Sequence, residues 1–251
     1  MSRRCAVALM AVVCLASQAY AQTQEDRNAA RALLAKRGDA VLFVLGTAKL
    51  RVNQGGKELP TSDQRIQALV TVLDGSGLGV MSLTALDPSE FMSAQLSRGR
   101  AAAAAVNVTT EPSNLRYRLP DGREIPVRVV LRDKDLDLAF LRPVEKLASP
   151  LPAIDAATVR PAAIDSVLVL QRMPELVGWQ ATAMFQSVQA VVEKPRTFYV
   201  LTGGPIGAPV FDLRGQFIGI VLRFKNEADA ANAPPIVLPA ADIREVAKQA
   251  K

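Results

Sequence analysis

From Ala40 onward the chain is a succession of short apolar runs, each closed by residues that turn a backbone, and this punctuation constrains the fold more than any other feature. Residues 40–45 (AVLFVL) form an unbroken apolar run of strand length, and residues 69–73 run into Asp74-Gly75, a strand entering a turn. Residues 115–119 and 125–131 flank Pro120-Asp121-Gly122-Arg123 and read as the arms of a hairpin with alternating sides. A second set of strands is predicted over residues 164–170, 182–192, 197–202, 210–212 and 216–223. Many short strands with turn signals between them predict an all-β sandwich or a pair of barrels. Helices are expected only at the ends. Residues 25–37 carry Ala29, Ala30, Leu33 and Leu34 at helical spacing and reach Gly38 as a C-cap, and residues 242–251 form an amphipathic helix. The alanine-rich stretch 97–105 reads as a loop running into a weak strand, with a helix as the alternative, and residues 149–163, with three prolines, as the connection between two halves.

Ahead of this lies a leader. Arg3 and Arg4 precede an apolar run over residues 6–16 and the small-x-small signal Ala19-Tyr20-Ala21, after which the chain turns polar. The run is short for a bilayer span, so residues 1–21 are expected to be a signal peptide cleaved after Ala21, delivering a periplasmic or secreted protein with no stable membrane insertion. Val13 is bulky where a lipidation signal ahead of Cys14 would place Gly, Ala or Ser. Cleavage removes Cys5 and Cys14, the two cysteines of the chain, and the sequence contains no histidine. A mature chain of that composition has no disulfide, no Cys/His zinc site, no thiol nucleophile and no imidazole base, and no cofactor is implied. The formal charge of +6 falls by two with the leader, its positive residues are scattered, and aromatics make up 5% of the chain. Nucleic-acid binding, which wants a basic face interleaved with stacking groups, is not expected.

Five segments carry a resemblance to a known family. The stretch Gly203-Gly204-Pro205-Ile206-Gly207-Ala208-Pro209, with the strand, Leu213-Arg214-Gly215 turn and strand that follow, resembles the nucleophile loop and hairpin of trypsin-like serine peptidases, Gly-Asn/Asp-Ser-Gly-Gly-Pro, and sets Ile206 at the nucleophile. Residues 119–130 resemble the Asp-Gly-Arg hairpin of the HtrA (Deg) group. Residues 133–141 resemble its Asp-x-x-x-Asp-Leu-Ala-x-Leu segment, which sets Asp137 at the triad aspartate. Residues 74–86 resemble Asp-Gly-x-Ile-Leu-Thr-Asn-x-His-Val-Val and set Thr84 against the histidine, although Met81-Ser82-Leu83 departs from the usual pattern. The end of the chain, residues 235–239 leading into 242–246, is similar to the family's closing strand and helix. The resemblance covers nearly the whole mature chain and leaves no room for the PDZ domain of many relatives. It implies two six-stranded β-barrels with an N-terminal and a C-terminal helix: helix 22–38, first barrel 39–148, connection 149–163, second barrel 164–240 and helix 241–251.

The chemistry the resemblance implies is mostly missing. A serine hydroxyl needs a base for its proton and a partner that orients the base. Isoleucine has no atom that attacks a carbonyl, threonine is no base near neutral pH, and only the orienter Asp137 remains. The family's oxyanion hole would fall on the backbone N–H groups of Gly204 and Ile206, which help only where an attack occurs. Asp137 is expected as a buried carboxylate bonded to backbone N–H groups or to the Thr84 hydroxyl, Ile206 as core filling rather than part of a ligand pocket, and Trp179 as partly buried at the rim of the second barrel rather than stacking on a ligand. Nothing in the sequence places a lysine beside Ser82, Thr84 or Thr202 to activate them, and Asp133, Asp135 and Asp137 lie in a turn and strand rather than a metal cluster. The expectation is an exported, proteolytically inactive relative that binds a peptide or protein partner in the cell envelope by strand addition. A hydrolase with a non-standard nucleophile and a structural assembly module are the alternatives, and oligomer formation is left open.

Overall fold

The computed structural model describes residues 23–97, 106–155, 157–223 and 235–250; the expected leader and residues 98–105 of the alanine-rich stretch lie outside the described residues. Helix α1 (Gln24–Arg37) opens with a capping box in which the Asp26 N–H donates to the Thr23 hydroxyl at 3.0 Å and the Thr23 N–H donates to the Asp26 carboxylate at 2.9 Å. Acidic residues in its first turn and basic ones in its last complement the helix dipole. Gly38 ends it in a right-handed conformation rather than the left-handed one usual for a glycine cap, because the chain continues at once into a 3-10 turn, Gly38–Ala40.

Seven strands follow: β1 (Val41–Gln54), β2 (Lys57–Glu58), β3 (Ser62–Val72), β4 (Gly79–Ser82), β5 (Val106–Arg118), β6 (Glu124–Asp133) and β7 (Leu138–Pro143). They run β1-β3-β4-β7-β6-β5 and close through pairing of β5 with β1, while β2 only extends the far end of β1 as a hairpin. The second barrel, of β8 (Ser166–Arg172), β9 (Ala181–Val192), β10 (Phe198–Leu201), β11 (Pro209–Asp212), β12 (Phe217–Arg223) and β13 (Pro235–Pro239), closes in the order β10-β13-β12-β11-β8-β9. Helix α4 (Ala240–Ala247) ends the described chain, and two helices not foreseen from the sequence, α2 (Leu83–Leu86) and α3 (Ser89–Ser97), follow β4. The expected pair of six-stranded barrels with a helix at each end is the architecture observed.

Alternation along β1 explains how the barrels are joined. Leu42 and Val44 point into the first barrel, where they meet Val70, Met81, Tyr117 and Leu141. Phe43 and Leu45 point the other way and join Leu69, Val80 and Phe140 in a second cluster continuous with Val169, Val210 and Phe217 of the second barrel. The first barrel is thus apolar on both sides of its wall where it meets its neighbour, which is why residues 40–45 read as a continuous apolar run.

Candidate functional site

Ser82 ends β4 with extended backbone, and its hydroxyl accepts the Ala85 N–H at 3.2 Å, capping α2. Across the sheet Ser82 pairs with Leu138, so Asp137, one residue before β7, faces the start of the same helix. Asp137 is in the left-handed region at φ 58°, which Asp tolerates better than most residues. Its carboxylate, with the residue only 2% exposed, meets three donors: the Ser82 hydroxyl at 2.6 Å, the Thr84 N–H at 2.8 Å and the Thr84 hydroxyl at 2.7 Å. Its carbonyl accepts the Leu83 N–H at 2.9 Å. Thr84 and Asp137 are therefore in direct contact, and Ser82, which the sequence reading did not connect with Asp137, is the second hydroxyl on that carboxylate. The only sequence signal for Ser82 is that it is a polar residue able to cap the helix it precedes.

The loop between β10 and β11 carries Gly204 at φ 144° and Gly207 at φ 89°, and the Ala208 N–H closes a turn onto the Pro205 carbonyl at 3.2 Å. Gly207 is pressed onto the first barrel: a Cβ there would stand 2.6 Å from the Leu69 carbonyl oxygen, and the buried Thr71 hydroxyl donates to the Gly207 carbonyl at 3.2 Å. Within the second barrel the Gly207 N–H donates to the Val221 carbonyl at 2.7 Å and the Val221 N–H to the Ala208 carbonyl at 2.9 Å. Ile206 is half-buried and packs on the cluster shared by the two barrels, to which Leu136 and Leu138, the neighbours of Asp137, also belong. Among the described residues, the N–H groups of Gly204 and Ile206 meet no acceptor.

Beside Asp137 a groove of about 380 Å³ lies between the barrels, with Phe198, Leu222 and Ile236 along it and Lys194, Arg196 and Arg223 as its cations. The Arg223 guanidinium lies 4.8 Å from the ring centroid of Phe91 on α3, a cation–π contact at the end of β12. An ion pair of 2.7 Å between Lys134 and Glu90 ties α3 to the turn before Asp137, and this hydrogen bond raises the Lys134 ammonium pKa above its ordinary value. Beyond Ile220 the β11 ladder ends, and the edge of β12 on that side has no strand partner at Leu222 and Arg223 among the described residues. Trp179 sits farther off. Its ring meets Phe43 edge-on at 5.1 Å and lies 5.5 Å from the Arg118 guanidinium, so it touches the first barrel and is not confined to the rim of the second. The buried Arg172 holds the backbone there, donating to the carbonyls of Trp179, Val41 and Gly38.

Two antiparallel barrels sharing an apolar seam, with a glycine-bearing loop of the second pressed onto the first, are the build of a trypsin-like peptidase. Residues 94–220, about half of the chain, match the trypsin-like peptidase domain family, and the chain belongs to that family. Among solved structures it is similar to the HtrA-type protease AlgW with a decapeptide (TM-score 0.54, 15% identity, 86% of this chain and 65% of that one). A serine-to-alanine form of AlgW with the decapeptide is similar too (TM-score 0.56, 15% identity, 87% and 65%). At this identity the likeness is one of fold, and the chain spans less than two thirds of either protein's length. No curated protein matches the chain by sequence. Among the described residues no helix is long and apolar enough to cross a membrane, and no group of three His, Cys, Asp or Glu is placed to hold a metal ion.

Proposed function

We propose that this chain is an exported pseudo-protease, a member of the trypsin-like family without peptidase activity that binds an extended peptide or a segment of a protein partner in the cell envelope. The observation that carries the reading is Ile206 at the nucleophile position of a chain that contains no histidine. Peptide hydrolysis by this family needs a hydroxyl and a base, and the two positions offer a hydrocarbon and Thr84. Asp137, which would orient the base, instead has its carboxylate engaged by Ser82 and Thr84. The backbone N–H groups of Gly204 and Ile206 remain as donors for a bound carbonyl rather than for a reacting one.

Binding by strand addition needs only an open backbone edge and pockets beside it. The end of β12 supplies the edge and the inter-barrel groove the pocket, and the similar AlgW structures contain a decapeptide. The leader supports export. The test has two arms on purified mature protein shown to be folded by circular dichroism. A fluorophosphonate probe and an unstructured protein substrate are expected to give no labelling and no cleavage, whereas an immobilised library of random decapeptides is expected to yield a subset that binds saturably. Labelling at a mapped residue would overturn the inactivity, and retention of no peptide by the folded protein would overturn the binding.

A further inference from the structure

Successive residues of β10 point opposite ways. Phe198 lines the inter-barrel groove, whereas Tyr199, part of the core cluster, also borders a second cavity of about 140 Å³ at the start of α4, which meets the groove at Thr197. Tyr199 is 1% exposed, and its buried hydroxyl has no hydrogen-bond partner among the described residues. A buried polar atom left unmatched is costly, and native structures seldom tolerate one without a ligand or an ordered water. Around the cavity stand Arg160 and Thr158 from the inter-barrel connection, Thr197, and the first residues of α4, Ala240 to Asp242. Pro239 gives α4 no side-chain cap, its leading N–H groups meet no acceptor among the described residues, and this end of the helix borders the cavity. Among the described residues Arg160 has no ion-pair partner.

These residues carry donors around one small space, an arrangement suited to an oxyanion. One wall differs: Asp242 also lines the cavity. A carboxylate there repels a fully ionised guest and welcomes one that brings a proton to share. We propose that this cavity binds a small oxyanion that retains a proton at neutral pH, phosphate being the ordinary example, held by Arg160, the Tyr199 hydroxyl and the N-terminus of α4, with its remaining hydroxyl donated to Asp242. Burial raises the Tyr199 phenol above its ordinary pKa, which keeps it a neutral donor. Sulfate, of the same shape but without that proton, leaves Asp242 facing an unprotonated oxygen. The site adjoins the peptide groove at Thr197 but does not depend on the proposed function.

The test is calorimetric titration of inorganic phosphate, and of sulfate in parallel, into the full mature chain and into its Tyr199→Phe, Arg160→Ala and Asp242→Asn variants. One saturable phosphate site is expected, weakened about tenfold by Tyr199→Phe and further by Arg160→Ala. Sulfate should bind more weakly than phosphate, and Asp242→Asn should narrow the difference. Glycerol phosphate in a third arm extends the guest to phosphomonoesters if it competes, and restricts it to the free ion if it does not. Because the hydroxyl has no partner among the described residues, Tyr199→Phe should leave the phosphate-free unfolding temperature unchanged or raised, and should shrink the increase that phosphate produces. Absence of saturable phosphate binding to folded protein, or binding indifferent to Tyr199→Phe and Arg160→Ala, would overturn the proposal. So would sulfate binding as tightly as phosphate, or a Tyr199→Phe variant destabilised equally with and without phosphate, which would assign the hydroxyl to an ordered water.

Discussion

Replacing Asp137 by alanine would strand two hydroxyls and an N–H in a buried place, since Ser82 and Thr84 both donate to its carboxylate. The expected loss is about 3 kcal/mol of stability, read by urea denaturation. Asp137→Asn keeps an acceptor for Thr84 and a residue type that tolerates the left-handed backbone, so it should cost clearly less. Equal losses would show that the negative charge, and not the hydrogen bonds, holds this turn. At this scale the sequence was informative through what it lacks: without histidine no assignment of residues 74–86 yields an imidazole base, whatever the alignment there. The neighbours of these residues were not legible. That Ser82 shares the carboxylate with Thr84 follows from the pairing of β4 with β7, and that Arg223 stacks on Phe91 follows from a helix 132 positions away in sequence that carries no apolar periodicity.

Among the elements, the loop between β10 and β11 is fixed to a distant part of the chain, β3. Gly207 combines a left-handed backbone with a close approach to the Leu69 carbonyl, so Gly207→Ala should destabilise the protein by about 2–3 kcal/mol. A thermal unfolding midpoint equal to that of the parent would show that the loop can move away from β3 at little cost. The hairpin of β11 and β12 was legible because the Leu213-Arg214-Gly215 turn separates two apolar runs. Strand β1 was foreseen only as far as Leu45, because Gly46 interrupts the run and the residues beyond it alternate, with Thr47, Lys49 and Arg51 exposed between buried Ala48 and Leu50. The start of β5 was hidden by Pro112, which a barrel strand accommodates beside the register shift opposite Gly46. Helix α3 buries no residue fully, so it leaves no apolar periodicity to detect.

For the whole molecule, the pair of six-stranded barrels was legible through the family resemblance, whereas β2 and β4 were not foreseen as strands and neither was the way the barrels meet. Apolar runs locate strands, but they do not say which face of a doubly buried strand belongs to which barrel. Phe43 and Leu42 are equally apolar and lie in different clusters. The shared cluster makes each barrel part of the other's interior, so neither is expected to persist alone once the seam opens. The contact of Trp179 with Phe43 and Arg118 turns this seam into something that can be watched. As the chain's one tryptophan, it makes intrinsic fluorescence a report on a single place. Its emission is expected to shift to the red in step with the loss of far-ultraviolet circular dichroism as urea is raised. A shift that comes earlier would mean that the barrels part while still folded. A natural optical gauge of barrel separation is thus built into the chain, usable without any label.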